Sequence, residues 1–230
     1  MRFDGETNSC ISCTCKAPLF EFLSIPEFEI VNAHRYEITY NPGEVIYKQG
    51  GPATHVLSFN SGLAKIVFEE NGKNIILGLI KSGTFLAGPG MYIDRKHHYS
   101  IISITESRVC AIDNAVFIDL LSKNKSFMNH YLQAVNKSYI SLLYRLAGQV
   151  NQQVKGKIAS ALIYLSEEIF DKLHFPFLLS TREIAQLSGV SKESAARTLK
   201  EFSEDKLIQL NRKELQILNL EKLINISEFG

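Results

Sequence analysis

The sequence predicts an α+β protein with a β-rich first half, one long helix and a small helical C-terminal domain. Three observations predict it: β-rich runs cut by glycines across Tyr36–Ile112, a helical repeat of apolar residues from Ser126 onward, and two short helical segments joined by Gly189. The chain has 230 residues, 45% of them hydrophobic, which is enough for more than one core. We expect three segments, at 1–125, 126–150 and 151–230.

Charge and motif content narrow the class of protein. The formal net charge is only +1, and residues 151–230 are neutral overall, so any nucleic-acid binding must come from a local arrangement of basic groups. No apolar run reaches about eighteen residues and Met1–Lys16 does not resemble a signal peptide, so we expect a cytoplasmic protein without a membrane segment. We expect no enzyme, because the sequence lacks a phosphate loop followed by lysine, a nucleophile elbow and a paired-histidine zinc motif.

The first half is predicted to be a small β-domain preceded by a short helix. Ser24 is a candidate helix cap with Pro26 in the first turn. Asn71-Gly72 predicts a tight hairpin, since both turn positions must tolerate positive φ. Regular turn residues between the runs indicate a sandwich or barrel. The predicted strands are 37–40, 45–47, 55–59, 63–68, 75–80, 101–104 and 109–112.

The long helix carries an apolar stripe with steps of three and four residues, formed by Phe127, Tyr131, Val135, Tyr139, Leu142 and Leu146. A stripe of this length favours a coiled coil between two subunits, and the alternative is packing within one chain. Polar residues 149–154 follow and suit a hinge.

The segment 180–203 has a helix-turn-helix pattern. Ser180 or Thr181 can cap the first helix, Ala185 is small where two helices must cross, and Gly189 permits the tight turn. A second helix capped by Ser191 would face outward, and two strands after it would form a wing. Charged residues on a helix are often only a solvated face, but the joint occurrence of cap, turn glycine and wing favours DNA binding. The residues expected to project from the second helix are Ser191, Lys192, Glu193, Ser194 and Arg197.

These motifs resemble the Crp/Fnr superfamily of bacterial transcription regulators, the cyclic-AMP receptor protein and fumarate-nitrate reduction regulator type. The resemblance lies in residues 41–50 (Asn-Pro-Gly-Glu-Val-Ile-Tyr-Lys-Gln-Gly), residues 61–65, residues 109–112 and the helix-turn-helix, and it spans nearly the whole chain. It implies an N-terminal cyclic-nucleotide-binding-like β jelly roll, a long dimerisation helix and a C-terminal winged helix-turn-helix. It further implies a homodimer that binds a palindromic operator in double-stranded DNA, with RNA polymerase as a partner.

The resemblance also implies roles for individual residues. Arg197 and Glu193 match the family's guanine-reading arginine and cytosine-reading glutamate, which gives a TGA-like half-site. Lys192 stands where cyclic-AMP receptors carry an arginine, and lysine lacks its planar fork. Ser191, Ser194 and Lys200 are expected to contact phosphates.

The effector is unknown from the sequence. The family holds a cyclic nucleotide with a Gly-Glu step and an Arg-Ser step, and neither occurs in the matching stretch, so we do not expect cyclic AMP. His97 and His98 are expected to be solvated loop residues. The candidate effector residues are Gly83, Phe85, Leu86, Gly88, Tyr99 and Ser100.

An alternative effector is a [4Fe-4S] cluster that senses oxygen or nitric oxide. Cys110 stands at the position of the family's fourth ligand, and the other candidates are Cys10, Cys13 and Cys15. The step from Cys13 to Cys15 is shorter than the family's, and Cys110 is also typical of a small buried strand residue. A zinc or thiol redox site remains open. A further alternative is a β-domain ligand-binding protein without DNA activity.

Overall fold

A computed structural model describes residues 2–3 and 17–229 of the chain. The chain divides into two compact units, one holding the described part of residues 1–73 with residues 78–139, the other holding residues 74–77 and 140–229. Among the described helices, none is long and apolar enough to cross a membrane.

The first unit is built on a β sandwich. Its strands are β1 (Arg2–Phe3), β2 (Arg35–Tyr40), β3 (Val45–Tyr47), β4 (His55–Ser61), β5 (Leu63–Glu70), β6 (Lys73–Lys81), β7 (Phe85–Leu86), β8 (Ser100–Ser103) and β9 (Ser107–Asp113). They form two sheets, one with the strand order β1-β2-β9-β4-β7 and the other with the order β3-β8-β5-β6. All seven predicted strands are present, and five of them are longer than predicted by two or three residues. The hairpin turn has positive φ at both Asn71 (50°) and Gly72 (74°), as its sequence predicts.

Two apolar clusters hold this unit together. Side chains from both sheets, including Phe59 and Ile101, form the sandwich core. A second group, the helical cluster, joins the 3₁₀ turn Pro18–Phe22 and the helices α1 (Ile25–Ala33) and α2 (Asn114–Lys123) to the outside of the sandwich. Ser24 and Glu27 form a capping box at the start of α1, which confirms the predicted cap. Helix α2 was not predicted.

Helix α3 (Lys125–Asn151) has two different apolar faces along its length. Phe127 is fully buried in the helical cluster and Tyr131 packs against it, so the start of the predicted stripe packs within the chain. Farther along, exposed side chains, all but one of them large and hydrophobic, follow one another at alternating steps of four and three residues, the heptad spacing of a coiled coil. We call this row the α3 seam: Leu132, Asn136, Tyr139, Leu143, Leu146 and Val150.

The second unit is a helical domain with a small sheet of order β10-β12-β11. Its core includes the fully buried Ile158, Leu162 and Phe175. The two strands predicted for the wing are present, and β10 adds a third. The elements are α4 (Val154–Tyr164), a π-helical turn (Leu165–Phe170), β10 (His174–Pro176), α5 (Thr181–Ser188), α6 (Lys192–Glu204), β11 (Ile208–Leu210), β12 (Glu214–Ile217) and α7 (Leu220–Phe229).

Candidate functional site

Helices α5 and α6 form the predicted helix-turn-helix. Ser180 caps α5 in a capping box with Glu183, and Gly189 ends α5 in the left-handed region at φ 64°. Ser191 caps α6 by accepting a hydrogen bond from the Ser194 backbone N–H at 3.1 Å. Local chemistry therefore fixes both ends of the turn.

One face of α6 is anchored and the other is free. Ala195, Leu199 and Phe202 are buried, as expected for the packed face of a recognition helix. Of the residues predicted to contact DNA, Ser194 is half-buried and its hydroxyl accepts from Ser191 Oγ at 3.0 Å, within the cap itself. The others are exposed and lie on the outer side of the first three turns: Ser191, Lys192, Glu193, Arg197 and Lys200.

Weak ion pairs hold the cationic side chains of this face. Arg197 Nε lies 4.0 Å from Glu201 Oε1, and the Arg197 side chain is 72% exposed. Glu201 is shared, because its other oxygen accepts from Lys155 Nζ of α4 at 2.9 Å. Lys200 pairs with Glu204 at 3.5 Å. Exposed pairs of this kind contribute about 0–1 kcal/mol each, so both cations can leave them at small cost.

The wing presents two further cations that the predicted contact set did not include. Asn211 Oδ1 accepts from the backbone N–H groups of Lys213 and Glu214 at 2.9 and 2.8 Å, which closes the turn between β11 and β12. Arg212 and Lys213 are exposed at its tip. This basic pair, at the tip of a hairpin next to α6, is the sequence feature from which a contact with DNA phosphates could have been predicted.

The predicted effector residues do not form one surface. Phe85 packs on the helical cluster, with its ring 5.0 Å from that of Phe117. Leu86 packs instead on the sandwich core, since successive side chains of β7 point to opposite faces, and Tyr99 packs on the same core. Burial raises the pKa of Tyr99 to about 12, so its hydroxyl stays protonated. Gly83 lies outside both groups in a turn with φ 83°.

Ser100 is occupied by protein groups. Its hydroxyl donates to Glu69 Oε1 at 3.1 Å and accepts from the Gln49 backbone N–H at 3.0 Å. Lys48 Nζ binds the same Glu69 carboxylate at 2.6 Å. These hydrogen bonds, first from Lys48 and then from Ser100, hold the pKa of Glu69 below its ordinary value. The Ser100 hydroxyl is thus already bonded to a protein carboxylate.

His97 corrects the prediction for the histidine pair. His98 is exposed and pairs with Asp94 at 3.2 Å, but His97 is only 5% exposed, so its prediction as a solvated loop residue is wrong. The His97 ring stacks on Tyr47 with ring centroids 3.8 Å apart, and its backbone bonds to Gly50 and Gly51. Its buried Nδ1 has no hydrogen-bond partner among the described residues and faces Gly88. Burial lowers the pKa of His97, which keeps the ring neutral.

Comparison with known proteins gives a consistent picture. Residues 37–124 match the family model described as "Cyclic nucleotide-binding domain", and residues 156–226 match "Crp-like helix-turn-helix domain". The "Probable transcriptional regulator flp" of Lacticaseibacillus casei is 26% identical over 92% of this chain and 96% of its own length. The "cAMP-activated global transcriptional regulator CRP" of Salmonella typhimurium is 21% identical over 84% of this chain and 94% of its own.

The chain belongs to the Crp/Fnr family of transcription regulators. It is a DNA-binding regulator of this type, with a cyclic-nucleotide-binding-like domain before its helix-turn-helix. Solved structures share the Crp/Fnr fold. FixK2 from Bradyrhizobium japonicum has a TM-score of 0.76 at 14% identity, covering 84% of this chain and 97% of that one. A putative crp/fnr-family regulator from Eubacterium rectale has a TM-score of 0.73 at 15% identity, covering 92% and 98%.

Cys110 is the one predicted metal ligand within the described residues, since Cys10, Cys13 and Cys15 lie outside them. It is a buried residue of β9, whose Sγ accepts hydrogen bonds from Arg35 Nη1 at 3.3 Å and Asn60 Nδ2 at 3.1 Å.

The surroundings of Cys110 carry both signs of charge. The cation of Arg35 favours a thiolate. The Glu37 carboxylate lies 3.7 Å from Sγ and disfavours a thiolate, because two negative charges would then lie side by side. Among residues 2–3 and 17–229, no group of three or more His, Cys, Asp or Glu side chains could hold a metal ion. The iron–sulfur alternative in this Crp/Fnr chain stays a prediction.

Proposed function

We propose that this Crp/Fnr regulator binds a palindromic DNA operator as a homodimer, with one α6 in each half-site, under the control of an effector in the β-domain. The observation that carries the proposal is the outer face of α6, where Lys192, Glu193 and Arg197 project from a helix anchored by a buried inner face. A helix of this kind fits the major groove with its N-terminal residues toward the bases.

The side chains of α6 have distinct proposed roles. Arg197 donates to guanine O6 and N7, and Glu193 accepts from cytosine N4. Lys192 reaches an outer base without the two-point geometry of arginine. Phosphates are contacted by Ser191, Ser194 and Lys200, and these contacts set the register of the protein on the duplex.

The α3 seam supports the homodimer. Six residues at the heptad spacing are exposed over about five turns, and five of them are large hydrophobic side chains. An exposed apolar row of this length is costly in water, and a second copy of the same helix covers it in a two-stranded coiled coil. Two α6 helices would then enter successive major grooves about 34 Å apart.

The effector is proposed to be a molecule other than cyclic AMP. Ser100 already bonds Glu69, and no Gly-Glu step in the matching stretch supplies a carboxylate for a ribose. A buried phosphate needs a charge-assisted partner, and an incoming anion would meet the Glu69 carboxylate. RNA polymerase is the partner that the family implies for the DNA-bound form, which would act in the cytoplasm.

Selection of duplexes from a random pool by the full chain tests the DNA proposal. We expect inverted repeats with TGA-containing half-sites one helical turn apart, bound by two chains per duplex. A pool that yields no enriched sequence, or only single half-sites bound by one chain, would contradict the proposed palindromic operator.

Leu143→Glu tests the homodimer. A carboxylate in the α3 seam would be buried against its copy, so the variant should sediment as a monomer and bind the selected duplex at least about tenfold more weakly. Ser138→Glu is the matched control, because it places the same charge on the exposed side of α3 away from the seam. Equal behaviour of the two variants would contradict the dimer proposal.

A further inference from the structure

The link between α3 and α4 carries three glutamines in different surroundings. Gln149 lies in the last turn of α3, and Gln152 and Gln153 follow in the link. The sequence suggests a polar hinge here. Two of the three side chains are bonded to other elements of the second unit, whereas Gln153 is exposed and makes no capping hydrogen bond to α4.

Gln149 bonds the turn of the helix-turn-helix. Its Nε2 donates to the carbonyl oxygen of Leu187 at 3.2 Å. Leu187 lies in the final turn of α5, where backbone carbonyls have no partner within their own helix. The side chain also lies against Gly189, where an added Cβ would meet Gln149 Cδ at 3.6 Å. The end of α3 is therefore fixed directly to the residues that set the angle between α5 and α6.

Gln152 bonds two other elements of the same unit. Its Nε2 donates to Ser160 Oγ of α4 at 2.8 Å and to the backbone oxygen of Ser227 in α7 at 2.5 Å, so both amide hydrogens are used. Gly148 leaves room for this side chain, since an added Cβ would lie 3.2 Å from Gln152 Oε1. The α3–α4 link is thus tied at three points.

We propose that Gln149 and Gln152 are positioning residues that fix each helix-turn-helix domain, through α4, α5 and α7, to the end of its own α3, and thereby set the spacing between the two recognition helices of the dimer. The inference rests on the proposed binding of a palindromic operator by a homodimer. Each helix-turn-helix keeps its own core and caps without these glutamines. Replacing these glutamines should therefore weaken binding to two half-sites more than binding to one. Once one helix-turn-helix domain is bound, a correctly placed second domain binds at a high effective concentration, and a misplaced one does not.

The test compares Gln149→Ala, Gln152→Ala and the control Gln153→Ala in the full chain. Fluorescence anisotropy measures the affinity of each variant for the two-half-site duplex selected by the wild-type protein, and for the same duplex with one half-site scrambled. Sedimentation velocity checks that each variant is still a dimer. We expect Gln149→Ala and Gln152→Ala to bind the two-half-site duplex about tenfold more weakly, with half-site binding within about twofold of wild type. Gln153→Ala should match wild type on both duplexes.

The outcomes separate the two proposals. If the wild-type dimer shows no preference for two half-sites, the proposed function fails. If it does, and Gln149→Ala and Gln152→Ala behave like Gln153→Ala, the positioning role fails. Equal losses on both duplexes would reduce the glutamines to a structural role and also overturn it. Should an alanine variant not fold, the isosteric Gln149→Glu and Gln152→Glu carry the same comparison, since each loses the amide donor.

Discussion

Replacing Arg197 by alanine should separate DNA recognition from folding. The Arg197 side chain is 72% exposed, and its ion pair with Glu201 spans 4.0 Å. An exposed pair of this kind contributes about 0–1 kcal/mol. We therefore expect Arg197→Ala to change the free energy of unfolding by less than about 1 kcal/mol, measured by urea denaturation.

The same substitution should be severe for operator binding. A two-point contact between arginine and guanine is worth about 1–3 kcal/mol, and a dimer makes two of them. The expected loss is about 2–6 kcal/mol, or a decrease in affinity from about thirtyfold to more than ten-thousandfold. The variant should also lose most of its discrimination at the guanine, because the residue that reads this base is gone.

Fluorescence anisotropy with the selected operator, and with a duplex in which that guanine is replaced, measures both effects. Lys200→Ala is the control for general charge loss. It should weaken binding to all duplexes by a similar factor. The slope of log K against the logarithm of the salt concentration should become less steep by about one for each half-site. Unchanged operator affinity in Arg197→Ala would refute the assignment of α6 as the recognition helix.

Three further predictions concern the β-domain. Gly62→Ala should lower the free energy of unfolding, measured by urea titration, by about 2 kcal/mol or more, since Gly62 has φ 95° and an added Cβ would come too close to the Glu106 carbonyl. Gly72→Ala is the control, because Gly72 has φ 74° but open space around it, and this variant should lower the free energy of unfolding clearly less. Because burial lowers the pKa of His97, the unfolded chain binds a proton more readily, and wild-type stability should fall as the pH drops below about 6.5. His97→Phe keeps the ring stack on Tyr47 and should show a smaller fall in melting temperature between pH 7 and 5; an equal fall would exclude His97 as the cause. Since the Glu37 carboxylate faces Cys110 Sγ, we expect protein purified without oxygen to be colourless and free of iron. A brown protein with about four irons per chain, whose colour and iron are lost in Cys110→Ala, would contradict this expectation and establish the cluster.

Features that depend on local chemistry could be predicted from the sequence. The Asn71-Gly72 turn needs positive φ at two adjacent residues, and few other sequences satisfy it. Ser180 and Gly189 mark the two ends of α5 through a cap and a left-handed residue, both within a few positions of the helix. Such signals need no knowledge of distant parts of the chain.

Features that depend on distant parts of the chain could not. Helix α2 is stabilised by distant residues, because its buried side chains Phe117 and Leu120 lie in one cluster with Phe28 of α1, far earlier in the chain. His97 is buried because Tyr47, fifty residues earlier, forms a flat surface for its ring. Phe85 and Leu86 are adjacent in sequence but pack on separate clusters, so a group of effector residues chosen from one stretch is divided by the sheet. The amide contacts of Gln149 and Gln152 likewise join residues whose proximity only the fold creates.

The Glu201 carboxylate pairs with two cations, Arg197 and Lys155, and this arrangement bears on how α6 would bind DNA. In the proposed complex, Arg197 would turn from Glu201 toward a guanine, and the Glu201 carboxylate would keep Lys155, at 2.9 Å, as its counterion. No unneutralised anion is then left beside the phosphate backbone, where it would repel the duplex. On this proposal Arg197 would exchange a carboxylate for a base, and Lys155 would lower the electrostatic cost of that exchange by remaining paired with Glu201.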